Sequence, residues 1–154
     1  GHSLLAVQLI AEIERQLVGE KLPLALLLQA PTIAQLAEVL ANKGWRSSWS
    51  SLVPIQPKGE RRPFFFVHAH GGNVLGYYDL ARHLGDDQPF YGLQAMGMET
   101  GEKVTRRLEE MAAHYIAEIR TLQPQGPYLL GGWCLGGDVA FEMAQQLQGP
   151  GGTE

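Results

Sequence analysis

Past residue 60 the chain alternates between short unbroken apolar runs and longer stretches whose apolar positions recur every three or four residues. Phe64 to Val67 is such a run and ends in His-Ala-His-Gly-Gly, so a buried strand entering a glycine-rich turn is predicted. Val74, Tyr77 or Tyr78, Ala81 and Leu84 predict a helix, and Pro89 to Leu93 predict a second strand. Val104, Leu108, Met111, Ala112, Tyr115, Ile116 and Ile119 predict an amphipathic helix capped by Thr105. Tyr128 to Leu130 give a third strand, and Val139, Ala140, Met143, Ala144 and Leu147 a last helix before the loose ending Gly-Pro-Gly-Gly-Thr-Glu. Strands without polar alternation, separated by helices, imply a parallel sheet covered on both faces, hence an α/β fold.

The first 44 residues show helical patterns and no strand. Leu5, Leu9, Ile13 and Leu17 recur at four-residue spacing and predict one helix face, and a short Leu-rich turn follows Pro23. Pro31-Thr32-Ile33-Ala34-Gln35 reads as a helix start in which Thr32 and Gln35 form a capping box. Ile33, Leu36, Ala37 and Leu40 then form the inner face, and Gly44 stops the helix. Between the two parts, residues 45–61 are Ser-rich, contain Pro and are basic at their end, as a linker would be, with Trp45 and Trp49 available to dock nearby.

Composition narrows the function classes. Sixteen acidic against twelve basic side chains in 154 residues give a charge of −4, with no basic face for nucleic acid. The apolar runs are too short to cross a bilayer, no basic leader precedes one, and a cytoplasmic location is expected. A single cysteine excludes a disulfide framework, and no Cys/His spacing suggests a metal site. His68 and His70 lack a third ligand.

The most informative motif is Gly132-Trp133-Cys134-Leu135-Gly136, set between an apolar strand and an amphipathic helix. Small residues around the central one suit a sharp strand–turn–helix that projects Cys134 from the helix N-terminus, where a thiolate is favoured. Cys134 is therefore the expected nucleophile, and the Leu135 backbone N–H an oxyanion donor. Backbone N–H groups of Ala69 and His70, in the loop after the first strand, are the expected other half of the oxyanion hole. A buried structural cysteine in a glycine-rich turn is the plainer alternative. No histidine follows Cys134 in the chain, so His68 and His70 are set aside as general bases, and His83 and His114 are expected to face solvent on helices. Asp79, Asp86, Asp87 and Asp138 offer no natural third member. Ser3, just before a helix, reads as an N-cap or a site where phosphate is stabilised.

Gly1-His2-Ser3-Leu4-Leu5-Ala6-Val7 with Ala30-Pro31-Thr32-Ile33 resembles the C-terminal half of a peptidyl or acyl carrier domain of nonribosomal peptide and polyketide synthetases. The stretches from Phe65 to Val74, Pro89 to Ala95, Met111 to Tyr115, Gln123 to Tyr128 and the Cys134 turn resemble the N-terminal part of a type I thioesterase domain. The resemblance implies the last helices of a four-helix carrier bundle at 1–44, a linker at 45–61 and part of an α/β-hydrolase fold at 62–154. It also implies a 4′-phosphopantetheine arm on Ser3, upstream synthetase modules of the same or a docked chain as partners, and an acyl or peptidyl thioester as substrate. Neither nucleic acid nor membrane is implied. Release would follow by hydrolysis or cyclisation. The chain departs from the family pattern in having Cys134 where serine is usual and Ala69 where proline is frequent. The family's catalytic Asp and His are expected beyond residue 154, which would leave these residues alone inactive. A proofreading acyl-thioester hydrolase and a non-catalytic α/β interaction module are the competing readings.

Overall fold

A computed structural model describes residues 3–16, 22, 26–30, 32–41, 51–95 and 107–149. The chain divides into two units, Gly1–Ser48 and Trp49–Glu154. The expectations placed on Leu17, Pro23, Pro31, Gly44, Trp45, Trp49, Val104, Thr105 and the last five residues lie outside the described residues.

The first unit contains α1 (Ser3–Gln16), α2 (Leu26–Gln29) and α3 (Ile33–Ala41). Its core gathers Leu26, Ala30 and Leu36, with Ile13, Leu22, Leu27, Val39 and Leu40 packed against them. The capping box is present at the start of α3. Gln35 N–H donates to Thr32 Oγ1 at 3.3 Å, and Thr32 N–H donates to Gln35 Oε1 at 3.2 Å. The predicted inner faces need correction. Leu5 and Leu9 are exposed and Ile10 is buried, while Ile33 is almost fully exposed. Four-residue steps drift by about 40° each, so Leu5, Leu9 and Ile13 lie within an arc of about 80°, and the buried side is centred beyond Ile13, towards Ile10.

The second unit is a four-stranded sheet in the order β1-β3-β2-β4, with β1 at Leu52–Gln56, β2 at Phe64–Val67, β3 at Phe90–Leu93 and β4 at Leu129–Gly132. β2 pairs in parallel with both β3 and β4, whereas β1 runs antiparallel along β3. β1 corrects the expectation of an unbroken linker over 45–61 and adds a fourth strand. Its register shifts between Pro54 and Gln56. A proline lacks the N–H that a central strand needs, so a strand of this composition belongs at a sheet edge or bulge.

Alternation along β2 sends its side chains to two different cores. Phe65 and Val67 pack with Tyr91, Met111, Tyr115, Ile119, Val139 and Met143, on the side covered by α5 (Leu108–Leu122) and α6 (Leu135–Leu147). Phe64 and Phe66 meet Phe90 at ring-centroid distances of 5.6 and 5.7 Å, and Phe66 meets Tyr77 edge-on at 4.7 Å. That side is covered by a 3-10 turn (Leu75–Tyr77) and α4 (Tyr78–Leu84). The aromatic pairs add about 0.5–1.5 kcal/mol each beyond burial. Because β1 is antiparallel, its first residues sit at the same end of the sheet as the C-terminal ends of β2, β3 and β4. In open α/β sheets that end is where ligands bind.

Candidate active site

Three constructions meet at the carboxyl end of the parallel strands. The first is the turn from β4 into α6. Cys134 stands at its apex with φ 58 and ψ −126, a backbone region that side-chain-bearing residues seldom occupy. The turn is possible because its neighbours are glycines. A Cβ on Gly136 would fall 2.5 Å from the Val67 carbonyl oxygen and 2.6 Å from that of His68. The start of α6 is thereby pressed against the end of β2. The Cys134 thiol is exposed and free, and no side chain hydrogen-bonds it among the described residues.

The second construction is the loop after β2. His68 N–H donates to Leu93 O at 2.9 Å, Gly72 N–H donates to Ala69 O at 2.9 Å, and Ala95 N–H donates to Gly72 O at 2.8 Å. Gly72 takes φ 77, which closes the turn. His68 is buried, with Nδ1 2.6 Å from Ala69 O and Nε2 2.9 Å from the Tyr115 hydroxyl. Burial lowers the His68 pKa, opposed by the Ala69 carbonyl that accepts from its ring. Burial also raises Tyr115 far above an ordinary phenol. Tyr77 donates to Val67 O at 3.0 Å. Its pKa is raised by burial, offset by the Ala69 backbone N–H and raised further by the neighbouring Cys134. Ala69, Gly132, Trp133, Phe66, Tyr77 and Leu80 line a cavity of about 520 Å³ on this side of the turn.

The third construction joins β1 to α5. Ser51 Oγ lies 2.9 Å from His114 Nε2, across 63 residues of sequence. Glu118, one helical turn on from His114, has Oε1 4.0 Å from the same nitrogen and accepts from Leu52 N–H at 3.4 Å. Ser51 is fully buried and His114 half-buried. His114 therefore does not face solvent as expected. His83 is exposed on α4, with Nδ1 2.6 Å from Asp79 O. His70, Asp79, Asp86, Asp87 and Asp138 are exposed as well. Ser3 opens α1, in the other unit.

Helices on both faces of a largely parallel sheet and a strained strand–turn–helix at its carboxyl end define an α/β-hydrolase type of domain. The chain belongs to the thioesterase domain family, an enzyme family, whose model matches residues 62–153. Residues 1–40 match the family described as phosphopantetheine attachment site, so the N-terminal segment carries such a site. The chain is 47% identical over 151 residues to a dimodular nonribosomal peptide synthase of Bacillus subtilis (strain 168), covering 98% of this chain and 6% of that protein. Among solved structures it is similar to holo-AB3403, a four-domain nonribosomal peptide synthetase, with 36% identity, a TM-score of 0.62, and coverage of 96% of this chain and 11% of that one. It is also similar to the NocB thioesterase domain from the nocardicin cluster, with 35% identity, a TM-score of 0.58, and coverage of 64% and 44%. The chain thus spans a small part of its multidomain relatives and under half of the NocB domain. No helix among the described residues is long and apolar enough to cross a membrane.

The expectation of a thioesterase with cysteine in place of serine as nucleophile is corrected by the Ser51–His114 pair. Nucleophile activation needs a hydroxyl or thiol within hydrogen-bond reach of a base. Among the described residues a serine enters that relationship at Ser51 Oγ and His114 Nε2. Cys134 has no such partner among the described residues. The sequence carries faint signals for this pair: His114 borders the apolar stripe of α5, whereas Ser51 ends a serine-rich run with nothing to mark it out.

Proposed function

We propose that this chain joins a carrier segment to a thioesterase that releases acyl or peptidyl chains assembled by upstream synthetase modules, by hydrolysis or cyclisation. The observation that carries it is the order of the two family matches on one chain, 1–40 and then 62–153. Ser3 is the only serine in residues 1–40 and is the proposed attachment point. It suits the group, because a hydroxyl can form the phosphodiester and a helix start stabilises phosphate. When attached, the phosphopantetheine arm supplies the thioester that holds the acyl chain.

In this reading His114 Nε2 takes the Ser51 proton as Oγ bonds to the thioester carbonyl carbon. The carbon–sulfur bond then breaks, and the proton passes from His114 to the departing sulfur. Water or a nucleophile within the acyl chain cleaves the resulting ester. Backbone N–H groups of Ala69, His70 and Leu135 are the proposed oxyanion donors, the Ala69 group being shared with Tyr77. β1 lies two strand spacings from β2, roughly 10 Å, and Ser51 is fully buried. The reaction therefore requires the start of β1 to move towards those donors together with His114, keeping Ser51 Oγ against His114 Nε2.

The test is to incubate the full chain with an acyl-pantetheine thioester and map the acyl adduct by peptide mass spectrometry. An adduct on Ser51, absent from Ser51→Ala and His114→Ala, supports the assignment. An adduct on Cys134, or unchanged turnover in Ser51→Ala, overturns the assignment to Ser51. No adduct and no thioester cleavage removes the thioesterase reading itself.

A further inference from the structure

His68 is buried at the junction of four elements, yet the proposed reaction gives it no task. Its N–H is held by β3 through Leu93 O. Its carbonyl is met by the backbone of Gly136 at the start of α6. Its ring reaches α5 through Tyr115, edge-on at a centroid distance of 6.0 Å. The other side of the ring contacts Ala69 O, only one residue along.

The hydrogen bonds fix the tautomer. A carbonyl oxygen only accepts, so Nδ1 carries the proton directed at Ala69 O. Nε2 is then the acceptor, and the Tyr115 hydroxyl donates to it. Tyr115 is buried and stays protonated, so its hydroxyl donates to Nε2 for as long as His68 is neutral. Ala69 O receives a second donor, the Gly72 N–H. A carbonyl held by two donors from fixed directions has little freedom to rotate.

That carbonyl belongs to the same peptide unit as the His70 N–H. A trans peptide is planar, with its C=O and N–H pointing in opposite directions. Fixing one fixes the other. We propose that His68 is a positioning residue, which sets the plane of the Ala69–His70 peptide through Ala69 O and so aims the His70 N–H as an oxyanion donor. Tyr115 acts behind it by holding the imidazole in its tautomer and orientation. The inference rests on the oxyanion role assigned above to the loop after β2.

Three substitutions in the full chain test this: His68→Leu, His68→Asn and Tyr115→Phe. Asn keeps an N–H donor close to where Nδ1 stands, whereas Leu keeps only volume. Misplacing a donor by about 1 Å costs on the order of 10²-fold in rate. With an acyl-pantetheine thioester, His68→Leu is expected to lower kcat by about that factor while KM stays within about twofold. His68→Asn recovers most of the loss, and Tyr115→Phe loses less than His68→Leu. Amide hydrogen exchange gives a readout independent of turnover. Exchange over residues 69–73 rises in His68→Leu and returns in His68→Asn, with α6 unchanged. Equal losses in the Leu and Asn variants, a loss confined to KM, or exchange that rises evenly over the domain would overturn the proposal. If the wild-type chain cleaves no thioester, the functional reading fails, and the exchange pattern still decides whether His68 orders this loop. Should His68→Leu fail to fold, the Asn and Tyr115→Phe variants carry the same comparison.

Discussion

Gly132 lies against the carbonyl group of Gly136, four residues further on, with no space between them for a methyl group. The turn from β4 to α6 can close this tightly only with glycine at both positions. Gly136 in turn abuts the carbonyls of Val67 and His68, so α6 is seated on the end of β2 by two missing side chains. Gly137, the next residue, has only an ordinary contact at 3.6 Å. Gly132→Ala and Gly136→Ala are expected to destabilise the domain by about 1–3 kcal/mol or more, because backbone has to move. Gly137→Ala should be neutral or stabilising by up to ~1 kcal/mol, through helix propensity. Urea unfolding midpoints of the three variants check the order.

The Ser51–His114 hydrogen bond yields a prediction for stability as well as activity. Ser51→Ala leaves the His114 nitrogen without its hydroxyl partner and should cost about 1–3 kcal/mol. His114→Ala also removes packing against Tyr115, whose ring lies 5.6 Å from that of His114, and should cost more. If Ser51 takes the acyl group, thioester cleavage falls in both variants by at least about 10²-fold, far beyond what lost folded protein explains. Turnover measured beside the urea midpoint separates the two effects.

The lowered His68 pKa gives a pH dependence of definite sign. Below the ordinary imidazole value of about 6.5 the unfolded chain takes up a proton that the folded chain resists. The stability contributed by neutral His68 is therefore complete above that pH, and is lost as the pH falls towards the lower folded value. The unfolding midpoint should drop between pH 7.5 and 5.5, and His68→Asn should flatten that part of the profile.

Ser3→Ala tests the attachment point. Treatment of the wild-type chain with a phosphopantetheinyl transferase and coenzyme A should add the mass of one phosphopantetheinyl group. The Ala variant should gain none. Addition to the variant would move the attachment site elsewhere.

The sequence shows best what depends on near neighbours. The unbroken apolar runs of β2, β3 and β4, the stripes of α5 and α6 and the Thr32–Gln35 capping box are all local patterns. β1 escaped because Pro54 and the preceding serines give it the composition of a loop, and only pairing with β3 makes it a strand. The motif around Cys134 announces a tight turn, and the turn is there. What no local pattern contains is which polar groups meet across the sheet. Ser51 and His114 are brought together by β1 pairing beside α5, and Tyr115 reaches His68 across 47 residues of sequence.

The reversed direction of β1 decides where the polypeptide comes into the sheet. A parallel first strand would have started at the far end, leaving its first residue a strand's length from the loops after β2 and β4. Because β1 runs backwards, Ser51 already stands at the end where the strap of loop 68–72 and the α6 turn lie.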